Sequence, residues 1–223
     1  MTEKIVLFGL TQTADIVQYY LEKYTDFKVC ARCVDKEYIN NINNISNFQI
    51  PIVAFEEVEK LYPPSEYKMA IPMMHQDLNR LREQKYHEAK EKGYKFIKYI
   101  NPISTVETKD VGENVFVLGM CHIQPFVKIG NNCMIWSGTE IGHHTVIQDN
   151  CFITGARIAG RINIGKNCFI GHTSMLRDGI TIGEYSVIGM GAVIQRNVKP
   201  YSVYSVKQTK KWDISSEEAK EIL

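Results

Sequence analysis

Two adjacent imidazoles, His143 and His144, follow Gly142, with the carboxylates Glu140 and Asp149 close by in the chain. An imidazole titrates near pH ~6.5, so at neutral pH it can take a proton from an amine or a hydroxyl. A neighbouring carboxylate can fix which ring nitrogen carries the hydrogen, and a base of this kind contributes about 10² to 10⁴ in rate. Of the remaining histidines, His122 and His172 read as surface or interface residues, and His75 and His87 have no partner at a useful spacing. Six cysteines (Cys30, Cys33, Cys121, Cys133, Cys151 and Cys168) could serve packing, metal binding or nucleophilic attack. Cys30 and Cys33 form a lone C-x-x-C within a strand pattern, without the second pair that a structural zinc site needs. No H-x₄-H spacing exists that would gather zinc-binding histidines on a solenoid. No metal is expected.

The elements that must position His143 follow a period of six. Aliphatic residues stand at Val111, Val117, Ile123, Ile129, Ile135, Ile141, Ile147 and Ile153, then, after a slip of one, at Ile158, Ile164, Ile170, Leu176, Ile182, Ile188 and Ile194. Six matches neither a helix at 3.6 nor a lone strand at 2, but it suits a coil with three short flat faces. These repeats make about five coils of a β-helix. Small or slender residues four places after each aliphatic, among them Cys121, Cys133, Cys151 and Cys168, fill a narrow interior, so these thiols read as packing. His143 holds the third, outward-facing position of its hexapeptide, just past a glycine corner. The slip places Gly160 at the same position one turn later, beside His143.

The first hundred residues obey a different rule. Strand patterns at residues 4–8, 27–34, 50–53, 68–71 and 94–100 alternate with helical patterns at 14–24, 55–61 and 77–92, which implies a parallel sheet covered by helices. We expect an α/β Rossmann-like domain over 1–102, a linker over 103–110, a left-handed parallel β-helix over 111–199, and a tail over 200–223 whose Ser215-Ser216-Glu217-Glu218 opens a short C-terminal helix. Residues 9–14 (GLTQTA) join the first strand to the first helix, where free N–H groups and the helix dipole favour phosphate. The second glycine of G-x-G-x-x-G is missing, which disfavours a dinucleotide held as NAD is.

Composition narrows the function classes. The 223 residues carry 26 Lys plus Arg against 25 Asp plus Glu, a formal charge of +1, so no field draws nucleic acid or anionic lipid. No apolar run approaches the roughly 18 residues needed to span a bilayer, and the opening residues lead into a strand pattern rather than a signal sequence. No membrane association and a cytoplasmic location are expected. A nucleotidyltransferase fused to a β-helix would need a G-x-G-T-R loop near its start, and none is present.

Residues 123–132 (IQPFVKIGNN), 135–145 (IWSGTEIGHHT) and 159–168 (AGRINIGKNC), preceded by a small Rossmann-like domain, resemble the hexapeptide-repeat sugar acyltransferases of the sialic acid O-acetyltransferase and bacillosamine N-acetyltransferase family. The resemblance spans nearly the whole chain. It implies a homotrimer that moves an acetyl group from acetyl-CoA to an amino group of a sugar, often nucleotide-linked, in sites between adjacent β-helices. O-acetylation of a sugar or sialic acid hydroxyl is the alternative within the class; a non-catalytic trimeric scaffold is the alternative outside it. The family's base maps to His143, with His144 standing where N-acetyltransferases carry an acid. Glu140 and His144 are then the further catalytic candidates. Gly160 would contact acetyl-CoA, with Arg196, Lys199 and Lys207 as cations for its phosphates. Gly9, Thr11, Gln12, Thr13 and Asp35 would bind the sugar nucleotide. Trimer packing would cover Phe116, Phe126, Met134, Trp136, Phe152 and Phe169, expected as apolar surface on the solenoid faces.

Overall fold

The computed structural model describes residues 2–39 and 50–220. The elements β1 (Lys4–Phe8), α1 (Gln12–Tyr24), β2 (Lys28–Val34), α2 (Lys36–Ile39), β3 (Ile52–Ala54), α3 (Val58–Leu61), β4 (Tyr67–Ala70) and α4 (Arg80–Glu91) open the chain. The four strands form one parallel sheet in the order β3-β2-β1-β4. Consecutive apolar residues such as Ile5, Val6 and Leu7 are fully buried, as a sheet covered on both faces requires. Helix α4 starts at Arg80 rather than near Asp77, because Asp77, Leu78 and Asn79 all take left-handed backbone (φ 48°, 49° and 66°) and cannot continue an α-helix.

The strand expected over 94–100 divides in two: Phe96 bridges Met69 of β4 in the first sheet, and Tyr99–Ile100 pairs with Phe116–Val117 of the coil. The stretch expected as a linker likewise holds Thr105–Val106, which pairs with His122–Ile123. At the other end Val203–Tyr204 pairs with Val187–Ile188. The coil therefore extends beyond residues 111 and 199 in both directions. An open β-helix end exposes unpaired backbone N–H and C=O groups, and these flanking segments satisfy them. Near the C-terminus, α5 (Ser216–Ala219) carries the expected capping box from Ser215 to Glu218.

The left-handed β-helix has three parallel sheets of seven, six and four strands. Its register stacks like on like: Ile135 opposite Ile153, Ile141 opposite Ile123 and Ile158, Ile147 opposite Ile164. The slip falls at Gly155, whose left-handed φ of 53° closes a corner one residue short. Cys133, Cys151 and Cys168 are fully buried in the interior, and each thiol donates weakly to a carbonyl one coil on, at 3.3, 3.2 and 3.2 Å.

One corner is a ladder of buried asparagines. The Asn114 amide donates to Asn132 at 2.7 Å, Asn132 to Asn150 at 2.8 Å, and Asn150 to Asn167 at 3.3 Å. All four have φ between 51° and 63°, a region asparagine tolerates better than most residues. Helix α4 docks on this corner. The buried Arg82 guanidinium donates to the carbonyls of Asn132, Asn150 and Cys151 on the solenoid and to those of Met73 and Met74 on its own side. Burial lowers the Arg82 pKa to about 10, which still leaves it charged.

The aromatic face belongs to the same joint. Phe116, Met134 and Phe152 are buried against Ile5, Leu7 and Val17, with Trp136 and Phe169 packed at the margin. The expectation that a neighbouring subunit covers these side chains is therefore corrected: the chain's own first domain does. Phe126, on another corner, stays 68% exposed.

Candidate active site

His143 lies on the turn between the strands Glu140–Ile141 and Val146–Ile147, with its side chain exposed. Coils on both sides pin its backbone: its N–H donates to the Gln124 side-chain oxygen at 2.9 Å, and its carbonyl accepts from the Arg161 N–H at 2.8 Å. Gly160 sits against the ring. A Cβ at residue 160 would lie 2.9 Å from His143 Cε1, 3.0 Å from Nε2 and 3.2 Å from Nδ1. The imidazole thus rests on bare backbone, and the Gly160 N–H has no acceptor among the described residues.

The two Nδ1 atoms of His143 and His144 are 3.1 Å apart. The His144 ring in turn lies over Phe126, with ring centroids 4.7 Å apart. Neither carboxylate near in sequence reaches the base. Glu140 accepts from Arg157 at 2.7 Å, and Asp149 accepts from the Asn131 N–H at 2.7 Å. Neighbours along a coil are spread over different faces, so closeness in sequence does not bring these groups together. The carboxylate above the site is Asp178, held by Arg161 at 3.0 and 2.5 Å. The Arg161 hydrogen bonds keep its carboxyl below the usual range, with His143 adding a smaller favourable interaction.

The cations proposed for phosphate do not form one cluster. Arg196 lies in the column of His143, Gly160 and Asp178, whereas Lys199 follows Val198, which bridges to Ile182 toward another corner, and Lys207 is in the exposed tail.

A second candidate site is a cleft of about 1090 Å³ over the C-terminal ends of β1 and β2. Gly9, Thr11, Gln12 and Asp35 line it. Thr13 does not: it is buried on the inner side of α1, so its place in the set is corrected. Asp35 is bonded by Lys85 at 2.6 Å, and Lys85 also reaches Glu88 at 2.8 Å. Burial alone would lower the Lys85 pKa, but these two carboxylates outweigh it and hold the ammonium above its ordinary value. Met73, Met74 and Gln76 form the facing wall.

Sequence reading missed Gln124, Asp178 and Lys85, and assigned Phe126 to a trimer face rather than to the His144 ring it touches. Counting one coil back from Gly142 and His144 would have found Gln124 and Phe126, and one coil on from Gly160 would have found Asp178. No spacing in the chain announced that Lys85 reaches Asp35. Among the described residues, no group of three or more His, Cys, Asp or Glu side chains could hold a metal ion, and no helix is long and apolar enough to cross a membrane.

Residues 110–143 and 161–196 match the bacterial transferase hexapeptide family model (six repeats). The match lies within the β-helix and leaves the first domain outside it. A 96-residue stretch of the chain is 36% identical to SAR2635 of Staphylococcus aureus (strain MRSA252), provisionally named an acetyltransferase, covering 42% of this chain and 48% of that one. The chain thus spans about half the length of the curated relatives it matches. Among solved structures, a histidine-to-asparagine mutant of perosamine N-acetyltransferase from Caulobacter crescentus, in complex with CoA and GDP-perosamine, superposes with a TM-score of 0.79 at 21% identity, over 91% of this chain and 93% of that one. The acetyltransferase domain of PglB from Neisseria gonorrhoeae FA1090, in complex with acetyl coenzyme A, gives 0.65 at 17% identity, over 91% and 96%. Both domains of the chain therefore share their fold with these proteins.

Proposed function

We propose that this chain is an acetyl-CoA-dependent acetyltransferase acting on an amino group of a nucleotide-linked sugar, with His143 as general base. The observation that carries the reading is the His143 imidazole resting on bare Gly160 backbone at an open corner. A thioester laid along that corner would meet a base and a free N–H within one small space. The acceptor nitrogen attacks the thioester carbonyl while His143 Nε2 removes its proton; the C–N bond forms, the C–S bond breaks, and the thiolate leaves and is protonated. The Gly160 N–H would donate to the developing oxyanion, a contribution of about 3 kcal/mol for a preorganised donor.

The cleft of the first domain suits the nucleotide part of the acceptor: its floor is the N-terminus of α1, and Asp35 can accept from ribose hydroxyls. That domain docks on the asparagine corner, whereas His143 is on a different one. An acceptor held in the cleft of one copy would accordingly meet the base of a neighbouring copy, which fits a homotrimer with shared sites. The test is thiol release from acetyl-CoA with a panel of nucleotide-linked 4-amino sugars and free sialic acid. Amino acceptors should turn over, and His143→Ala should lower kcat by about 10² to 10⁴ without loss of CoA binding. Turnover of hydroxyl acceptors alone would assign O-acetylation instead. Lack of any acetyl-CoA binding would leave the scaffold reading.

A further inference from the structure

Two imidazole nitrogens 3.1 Å apart cannot both present lone pairs or both present hydrogens without repulsion. One Nδ1 donates and the other accepts. If His144 donated, His143 would carry its own hydrogen on Nε2 and could not act as a base there.

We propose that His144 is the positioning residue of the base: in its neutral Nε2–H form it accepts the Nδ1–H of His143 and leaves His143 Nε2 bare beside Gly160. This assignment rests on the reading of His143 as the base. Each part of the pair is held for it. The His143 backbone is fixed by Gln124 and Arg161, and the His144 ring by its contact with Phe126. His144 has the left-handed φ of its corner, 58°, which turns its ring back toward its neighbour.

The charges around the pair favour the same direction. By register Arg161 stands one coil above His144, and Asp178, which interacts favourably with His143, stands two coils above His143 with Arg177 beside it. The stacking thus sets a carboxylate in the column of His143 and a guanidinium-bearing residue in that of His144. The coil below offers Gln124, Pro125 and Phe126, none of which titrates, and Glu140 on the same turn is engaged by Arg157. When His143 takes the proton of the nucleophile, its Nδ1–H remains directed at a neutral acceptor. A neutral imidazole thus does the orienting work that a carboxylate does in a catalytic triad.

The test combines a spectroscopic readout that needs no substrate with a kinetic one. Nitrogen-15 correlation spectra of the full-length protein, at a pH where both rings are neutral, should show His143 as the Nδ1–H tautomer and His144 as Nε2–H. In His144→Ala, His143 should revert to the Nε2–H form that free imidazole side chains prefer. His144→Asn keeps an acceptor and tolerates the left-handed backbone, so it should preserve the wild-type tautomer. In acetyl transfer, His144→Ala should lower kcat roughly tenfold, as loss of one hydrogen bond implies, with the acetyl-CoA KM unchanged. Its acid limb should move to lower pH, because the imidazolium loses its acceptor. His144→Asn should restore most of kcat, and His144→Asp should move the acid limb to higher pH.

Wild-type His143 found as Nε2–H, or a tautomer that His144→Ala does not alter, would overturn the assignment whatever the activity. The expected tautomers with an unchanged kcat and pH profile in His144→Ala would overturn the positioning role. The expected tautomers with no acyl transfer by the wild type to any acceptor would instead overturn the transferase reading, and the catalytic half of the assignment with it.

Discussion

Replacing Gly160 by alanine tests the geometry of the base most directly. Ordinary van der Waals contact begins near 3.4 Å, while the added Cβ would stand 2.9 to 3.2 Å from three atoms of the His143 ring. The ring is the mobile partner, so it moves: a retreat or swing of roughly 0.5 to 1 Å, and a displacement of about 1 Å can cost about 10²-fold in rate. We expect kcat to fall about 10- to 100-fold. Stability should hold, because Gly160 has no left-handed φ, and Gly→Ala at a compatible site stabilises by about 0.4 to 1 kcal/mol through the unfolded chain. The neighbouring Gly142→Ala is the contrast. There the Cβ would meet the Ala159 carbonyl carbon and the Gly160 nitrogen at 2.6 Å, and solenoid backbone cannot yield as a side chain can. Thiol-release kinetics and thermal melting on both variants would check this. Gly160→Ala with kcat within twofold of wild type, or with a loss of activity matched by a loss of folded protein, would refute the argument.

Arg82→Met should destabilise the chain by about 2 to 5 kcal/mol, since it strips buried carbonyls of their donor; urea denaturation measures this. The Met73–Met74 wall of the cleft should loosen with it, raising the KM for the acceptor more than that for acetyl-CoA. His75 packs between Phe152 and Phe169, at centroid distances of 5.1 and 4.5 Å, and burial holds its pKa below the ordinary value, with Arg82 adding to the shift. The unfolded chain then binds more protons than the folded one, so stability falls as pH drops from about 6.5 toward the depressed folded value. His75→Phe should flatten that slope in denaturation curves measured between pH 7 and 5; an unaltered slope would rule out His75 as its source.

The hexapeptide period was legible because each coil repeats one steric demand: an aliphatic residue inward, a slender one at the next corner, and the same again directly above. Ile123, Ile141 and Ile158 stack because their spacing leaves no other way to bury them. The same counting set Gly160 beside His143, a relation between adjacent coils that is effectively local. The alternation of strands and helices in the first domain was equally readable, since a buried parallel strand such as residues 5–7 is apolar throughout.

Contacts between the two domains carried no such signature. Phe116, Met134 and Phe152 look alike in sequence whether a second subunit or the chain's own α/β domain covers them, and only the packing of β1 and α1 against that face decides it. Arg82 and Lys85 read as ordinary charges on a helix until the asparagine corner and Asp35 are brought to them. Glu140 and Asp149, close to His143 along the chain, are carried to other partners by the turn of the coil, and among the described residues His144 is left as the only group hydrogen-bonded to its ring. Periodic burial is imposed residue by residue. The choice of partner for a polar side chain depends on which distant backbone arrives within about 3 Å of it, and that is a property of the folded chain alone.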